Sequence, residues 1–434
     1  MTRFGFITIL LVSLSALCAG AQTIEKFPPP DFVETGHEFP QTTTPPPDNQ
    51  IYEYVDSMVL LASMLAATYL IYRRRSRKGI FALVVFSLLY FGFWRKGCIC
   101  PIGALQNVTL TIFDSSYVIP LTALFFFLVP LVFALFAGRV FCAAVCPLGA
   151  IQDLVAVKPI SIPVWLEGVL RLFAYVYLAA AVLFAATGSA FVICRYDPFV
   201  AFFRLSGNVN ILIIGTCLLL IGTVVARPYC RFLCPYGLIL RQFSRLAKKR
   251  VTITPDECIK CRLCEDSCPF GAIRMPTVPW PDTDYARGKR TLGIMIILLP
   301  VGGLLLGWCG YALSPTAARV HATVRLADRI HMENTGLVGD TTDASDAFRA
   351  TGKSTKELFA EADAIIGDFV VCGWIAGAFL GIVAGAKLIR NALRPNRDQY
   401  TADRASCLAC GRCYEWCPRE QLRLKVLKQG VAKC

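Results

Sequence analysis

Charged side chains are scarce in this chain of 434 residues: they make up 17% of it, against 55% hydrophobic. A surface wetted on every side needs more charge, so the composition excludes an ordinary soluble protein and points to a membrane protein in contact with lipid. Histidine is nearly absent, with three in the whole sequence. His321 and His331 share one polar stretch, and no Cys-x-x-Cys-His accompanies them, which leaves haem attachment unsupported and solvated histidines the simpler reading. No acid-base pair, nucleophile elbow or phosphate-binding glycine-rich loop stands out either, so bond-making catalysis on a small substrate has no footing. Any reaction is then an oxidoreduction. Acidic residues are the minority charge, 30 Asp and Glu against 44 Lys and Arg, for a net +14. The basic residues gather in loops between hydrophobic runs, a topological signal rather than a nucleic-acid footprint.

Cysteine is abundant, with twenty residues. Eight fall into two matching runs, Cys258-x2-Cys261-x2-Cys264-x3-Cys268-Pro269 and Cys407-x2-Cys410-x2-Cys413-x3-Cys417-Pro418. In this spacing three cysteines grip one 4Fe-4S cluster and the fourth, followed by proline, crosses to the other. One cluster is therefore expected on Cys258, Cys261, Cys264 and Cys417, and a second on Cys407, Cys410, Cys413 and Cys268. Zinc also takes thiolate pairs but closes its tetrahedron from varied spacings. Two copies of a four-cysteine run, each ending in Cys-Pro, argue for iron and sulfide instead.

The expected class is mainly α: a polytopic bundle of about seven membrane spans, a cytoplasmic two-cluster ferredoxin-like module and a small exported helical segment. Residues 1–21 have the layout of a secretory signal peptide, and 22–55 read as a proline-rich exported tether. A five-span membrane domain follows over 56–250, with spans near 56–72, 79–94, 118–137, 170–190 and 208–226. The first ferredoxin half occupies 251–290. A two-span hairpin covers 291–390, with spans near 291–312 and 368–388 and an exported helical segment over 313–367. The second ferredoxin half occupies 391–434. Arg73, Arg74, Arg75, Arg77 and Lys78 after the first span, and Arg227 to Arg250 after the fifth, put those loops on the cytoplasmic side of a bacterial inner membrane, with the amino terminus outside. Two crossings separate the cluster runs, so both face the same side and distant halves can share ligands. Lys260, Arg262, Arg274 and Arg412 flank the clusters and would attract an acidic soluble electron donor, or reflect only the retention of positive charge on the inner side.

A second pattern repeats at the ends of spans: Cys98-Ile99-Cys100-Pro101-Ile102-Gly103, Cys142-x3-Cys146-Pro147-Leu148-Gly149 and Cys230-x3-Cys234-Pro235-Tyr236-Gly237. Pro-x-Gly forces the chain out of the preceding helix and exposes amides beside the sulfurs, a turn suited to an anionic cluster. Counting crossings places Cys142, Cys146, Cys230 and Cys234 together at the inner ends of the spans, a candidate metal or iron-sulfur site. The same count places Cys98, Cys100 and Cys194 together on the outer face, with Cys309 or Cys372 near enough in depth to supply a fourth ligand. Small cysteines that only pack between helices, or an outer disulfide, are the plainer alternatives.

At these residues the chain resembles the NosR/NapH-type family of membrane-bound polyferredoxins, which includes CcoG-like proteins. The resemblance rests on the Cys-x3-Cys-Pro turns at Cys142/Cys146 and Cys230/Cys234, on Cys194-x2-Asp197-Pro198-Phe199 and on the paired cluster runs. It implies electron transfer from a quinol or a cytoplasmic donor, through iron-sulfur clusters, toward a periplasmic reductase with partner redox subunits. It equally allows a maturation factor that reduces copper or a cofactor for a partner enzyme. NosR-type members carry a large exported flavin-binding domain; residues 22–55 are too short for one, and 313–367 hold no flavin-attachment threonine motif, so a covalent flavin is not expected.

Overall fold

In hydrocarbon a helix satisfies every backbone N–H and C=O within its own segment, and the apolar runs of this chain fold accordingly. The computed structural model describes residues 50–431 except 98, 99, 161, 206, 207, 250, 254–257, 278–281, 393–396 and 398. The expected signal peptide, the tether up to residue 49, and Cys98 lie outside the described residues. Helix α1 (Gln50–Tyr69) is already formed where the tether was expected to continue to residue 55. It runs on as a π-helical turn to Arg74. Helix α2 (Arg77–Ser87) continues in the same way to Trp94.

The chain then builds α3 (Pro101–Phe113), α4 (Leu121–Ala137), α5 (Pro147–Val155), α6 (Leu172–Ala186), α7 (Val209–Gly222) and α8 (Pro235–Ser244). Among the described residues five helices are long and apolar enough to cross a membrane: Ile51–Arg74, Arg77–Trp94, Trp165–Ala186, Gly288–Ala318 and Thr355–Arg390. The other two expected spans, α4 and α7, are apolar but only 17 and 14 residues long. Each ends early because the chain leaves it to make a cysteine-bearing turn, at Gly138 in one case and just after Gly222 in the other.

Helices α9 (Asp282–Ala318) and α12 (Thr355–Ala392) form a long antiparallel pair of 37 and 38 residues. At 1.5 Å per residue each is about 55 Å long, well beyond a hydrocarbon core of about 30 Å. A stripe of glycines brings them into backbone contact: a Cβ on Gly310, Gly377 or Gly381 would overlap the carbonyl of Gly373, Leu306 or Gly302, respectively. Small residues at such a seam replace the hydrophobic driving force that lipid does not supply. Beyond the pair, α10 (Ala322–Asn334) and α11 (Asp343–Ala350) form a small cap. Val324, Ala327, Ile330 and Phe348 bury against Leu358 and Phe369 there, and Glu333 ties Arg329 and Arg349 at 2.9 and 2.6 Å.

At the opposite end of the bundle the two cysteine-rich segments meet. Strand β1 (Ile273–Arg274) pairs antiparallel with β2 (Thr401–Ala402), Ile273 opposite Ala402. The ladder is extended by Asp403 N to Ala272 O at 2.8 Å and Thr277 N to Arg397 O at 2.9 Å. Two halves far apart in sequence thus form one ferredoxin-like module. Its core residues Phe270, Ile273, Leu408 and Tyr414 belong to the same cluster as Ile80, Val140 and Phe141 of the helix bundle. The basic loop between α1 and α2 clamps it: Arg75 pairs with Glu420 at 2.5 Å and lies 4.6 Å from the Tyr414 ring, while Arg77 donates to the Cys410 carbonyl at 3.1 Å.

Candidate iron-sulfur centres

The backbone of the module sets the cysteines first. Lys260 and Arg262 in one half, and Ala409 and Gly411 in the other, occupy matching places between cysteines and all have positive φ, from 53° to 76°. A left-handed residue costs a non-glycine about 1–2 kcal/mol, and alternation with right-handed neighbours turns successive amides inward as an anion-binding nest. Ala409 N donates to Cys407 Sγ at 3.3 Å, and Ala272 N to Cys268 Sγ at 3.4 Å. Cys258, Cys261, Cys264 and Cys417 line one small cavity walled by Ile253, Tyr400 and Pro418. Cys410, Cys407 and Cys268 lie near enough to Cys413 to help push its thiol up, which marks out the second set. Cys264 also reaches Cys413, so the two sets are neighbours.

Burial, with Cys258 and Cys417 close by, pushes the Cys264 thiol up to about 11; burial likewise pushes Cys407 to about 12, against the lowering effect of the Ala409 amide. Such thiols hold their protons at neutral pH until iron displaces them. Among the described residues no three His, Cys, Asp or Glu side chains converge tightly enough for a single metal ion. Four thiols around a shared cavity suit 4Fe-4S chemistry.

The next set lies deeper in the bundle. Ser87 donates to the Ala144 carbonyl at 3.0 Å, ten residues along its helical segment from Arg77, so the Cys142–Cys146 turn sits about 15 Å further in than the α2 start. Cys142, Cys146 and Cys230 all act electrostatically on Cys234, and Cys142 and Cys230 on Cys146: the four expected cysteines are brought together. Pro-x-Gly in each turn is expected to end the preceding helix. In the structure the prolines are also starters, each the first residue of a helix capped by its cysteine: Cys146 before α5, Cys234 before α8 and Cys100 before α3. Proline suits this position because its missing N–H would be unpaired there anyway. Gly237 N donates to Cys234 Sγ at 3.2 Å, and Gly149 and Gly103 amides face Cys146 and Cys100 in the same register. Helix N-termini with free amides favour an anion.

Residues outside the cysteine pattern complete this site. Gln152 donates from Nε2 to Cys230 Sγ at 3.3 Å and accepts the Tyr229 amide at 3.1 Å. Arg227, 1% exposed, is paired with Asp153 at 2.5 Å and donates to the carbonyls of Cys142 and Ala143. Arg139 donates to Cys142 Sγ at 3.8 Å. A small cavity lined by Arg139, Arg171, Arg227, Arg231 and Arg241 separates Cys230 and Cys234 from the module. Asp153 and Glu167 engage three of these five. Arg139 and Arg241 have no carboxylate partner within salt-bridge distance among the described residues, which leaves buried positive charge suited to anionic clusters on either side. The signal was present in the sequence, since Arg139 and Arg227 each precede the first cysteine of their turn by three positions.

Other expectations fare unevenly. Cys194 Sγ stands 3.1 Å from where a Cβ on Gly103 would lie, beside Cys100. This pair was expected at the far face, yet Cys100 acts electrostatically on Cys146, because α3 folds back between α4 and α6. Cys309 is exposed on α9, and Cys372 sits on α12 near Asp368. Arg262 and Arg274 are engaged by Glu265 and Asp403 at 3.7 and 3.9 Å, while Lys260 is exposed. His321 caps α10, its Nδ1 accepting the Thr323 amide at 3.2 Å.

A family model described as a 4Fe-4S binding domain matches residues 119–169 and 208–254, and a second of the same description matches 251–274. The first takes in Cys142, Cys146, Cys230 and Cys234; the second takes in the first ferredoxin run. The Escherichia coli protein YccM, named for a proposed role in electron transport, is 26% identical over 187 residues, 39% of this chain and 52% of that protein. NirI of Paracoccus denitrificans is 32% identical over 152 residues, 32% of this chain and 22% of its own. The regulatory protein NosR of Stutzerimonas stutzeri is 26% identical over 227 residues, 46% of this chain and 29% of its own. The chain therefore spans about half or less of these relatives. No solved structure matches it. With membrane-length helices and matched 4Fe-4S segments in a single chain, this protein is a membrane iron-sulfur protein that is similar to NosR and NirI.

Proposed function

We propose that the chain carries electrons along a line of clusters that starts in the ferredoxin-like module and enters the membrane through the Cys142 set. One observation supports this most: the sets follow one another without a gap. Cys264 of the first set acts on Cys413 of the second, and Arg227 feels both Cys410 of the second and Cys230 of the third. Two 4Fe-4S clusters sit in the module on this reading, and a third occupies Cys142, Cys146, Cys230 and Cys234. The packing of Arg75 and Arg77 against the module favours its placement on the cytoplasmic side of an inner membrane, the side to which positive loops are retained.

The donor is a quinol or an acidic soluble protein, and the acceptor is a partner reductase system. A cavity of about 500 Å³ supports the quinol route. It abuts Leu238, four residues past Cys234, with Tyr175, Leu178 and Phe379 on its apolar wall and Arg241, Lys387 and Arg390 at its polar end. An apolar tail and a polar head would both be accommodated. The test is reduction of the clusters in anaerobically purified protein by a menaquinol analogue, followed as bleaching of the visible iron-sulfur absorbance. Bleaching by quinol supports the carrier. Copper reduction without quinol oxidation would favour the maturation role, and clusters that respond to no physiological donor would leave only a structural one.

A further inference from the structure

The turn ending in Gln152 has a near copy earlier in the chain: Cys100-Pro101-Ile102-Gly103-Ala104-Leu105-Gln106 against Cys146-Pro147-Leu148-Gly149-Ala150-Ile151-Gln152. The two glutamines do the same work. Gln152 Oε1 accepts the amide of Tyr229, the residue before Cys230, at 3.1 Å; Gln106 Oε1 accepts the amide of Ile193, the residue before Cys194, at 3.0 Å. Cys194 therefore stands to Cys100 as Cys230 stands to Cys146. The parallel continues past each cysteine. Cys230 leads to Cys234-Pro235, whose sulfur accepts the Gly237 amide. Cys194 leads, one residue sooner, to Asp197-Pro198, whose Oδ1 accepts the Phe199 and Val200 amides at 2.9 and 3.4 Å. A carboxylate occupies the place of a thiolate. Asp197 is 4% exposed, and its charge acts on Cys100.

We propose that Cys100, Cys194 and Asp197 ligate a further iron-sulfur cluster, a pseudo-equivalent of the one on the Cys142 set with a carboxylate among its ligands. The inference rests on the reading of the Cys142 set as a cluster site. A second observation points to a ligand. Gln152 Nε2 donates to Leu148 O and to Cys230 Sγ, whereas Gln106 Nε2, on a side chain 1% exposed, has no partner. The hydroxyl of Tyr229, 2% exposed, faces the Asp197 carboxylate. An unsatisfied buried donor such as Gln106 Nε2 is costly and rare, and cluster sulfide offers it an acceptor. Because Cys100 acts on Cys146, the site prolongs the line of centres by one step away from the module.

The full chain is purified anaerobically as wild type and as Cys194→Ser, Asp197→Asn, Asp197→Cys and Cys230→Ser, with iron, acid-labile sulfide and reduced-state EPR measured on each. Cys194→Ser and Asp197→Asn are expected to lose one cluster's worth of iron, about two to four atoms per chain, and to keep the module's signals. Asp197→Cys is expected to retain that iron and to show altered g values, since thiolate replaces a harder donor. Unchanged iron, sulfide and EPR in both loss variants, with a centre lost in Cys230→Ser, would overturn the proposal and spare the Cys142 site. No change in any of the three removes both. If the loss variants fail to fold, Asp197→Cys decides: an altered signal supports the carboxylate ligand, and a wild-type spectrum refutes it.

Discussion

The Gln152 amide donates to the sulfur of Cys230, and a donor beside a cluster thiolate favours the more negative, reduced state. Replacing Gln152 with Leu should lower the midpoint potential of the centre on the Cys142 set by roughly 40 mV, the one-electron equivalent of about 1 kcal/mol for one hydrogen bond. Redox-poised EPR reads this directly; an unmoved potential would mean that Cys230 binds no redox centre. In the module the crossing cysteines make a sharper expectation. Cys417→Ser should disturb the same signal as Cys264→Ser, and Cys268→Ser the same signal as Cys410→Ser. Pairing along the sequence instead of across it would show the opposite grouping. The eight module cysteines and the Cys142 set were legible in the sequence because cluster geometry fixes short spacings. Gln152 and the role of Asp197 were not, since the partners of Gln152 come from a distant segment and Asp197-Pro198 is displaced by one residue from the Cys-Pro register.

At the scale of elements, the seam between α9 and α12 depends on glycine. Gly377→Ala places a methyl group into the Leu306 carbonyl, and overpacking of this kind costs about 1–3 kcal/mol. Gly293→Ala, where nothing lies within 4 Å, serves as the control. Thermal unfolding in detergent should separate the two, and equal midpoints would argue against a close-packed pair. The β1–β2 clasp offers a pH-dependent test through Asp403. Burial opposes its charge, but the Ser406 hydrogen bond and the nearby Arg274, Arg241 and Arg390 hold its carboxyl below the ordinary range. A depressed folded value means that the stabilisation is complete above the unfolded value, about 3.9, and fades as pH falls through the lower folded one. Asp403→Asn should therefore release clusters faster under denaturant at pH 7 than the wild type, with the gap closing below about pH 4. Most helices could be read from hydropathy alone. The shortness of α4 and α7 could not, because it follows from cysteine turns that fold back into the bundle, a tertiary demand that a hydropathy window does not register.

At the scale of the whole molecule, the arrangement is a line: a cap at one end, the ferredoxin-like module at the other, and further cysteine sets between. The even number of apolar helices between the two ferredoxin runs let the sequence predict that they meet. The depth of the Cys142 set, and its nearness to Cys100, needed the fold. Orientation is open to reporter fusions after Pro269 and Pro418, which are expected to report the same compartment; different compartments would leave the β1–β2 pairing without explanation. The central claim is that distant thiolates share clusters in one module, close enough to exchange electrons. EPR of the anaerobically purified, dithionite-reduced full chain, with iron and acid-labile sulfide counted on the same sample, tests it most directly. The account predicts at least two 4Fe-4S clusters per chain with a broadened spectrum from two magnetically interacting centres; a single isolated centre, or protein free of labile sulfide, would contradict it.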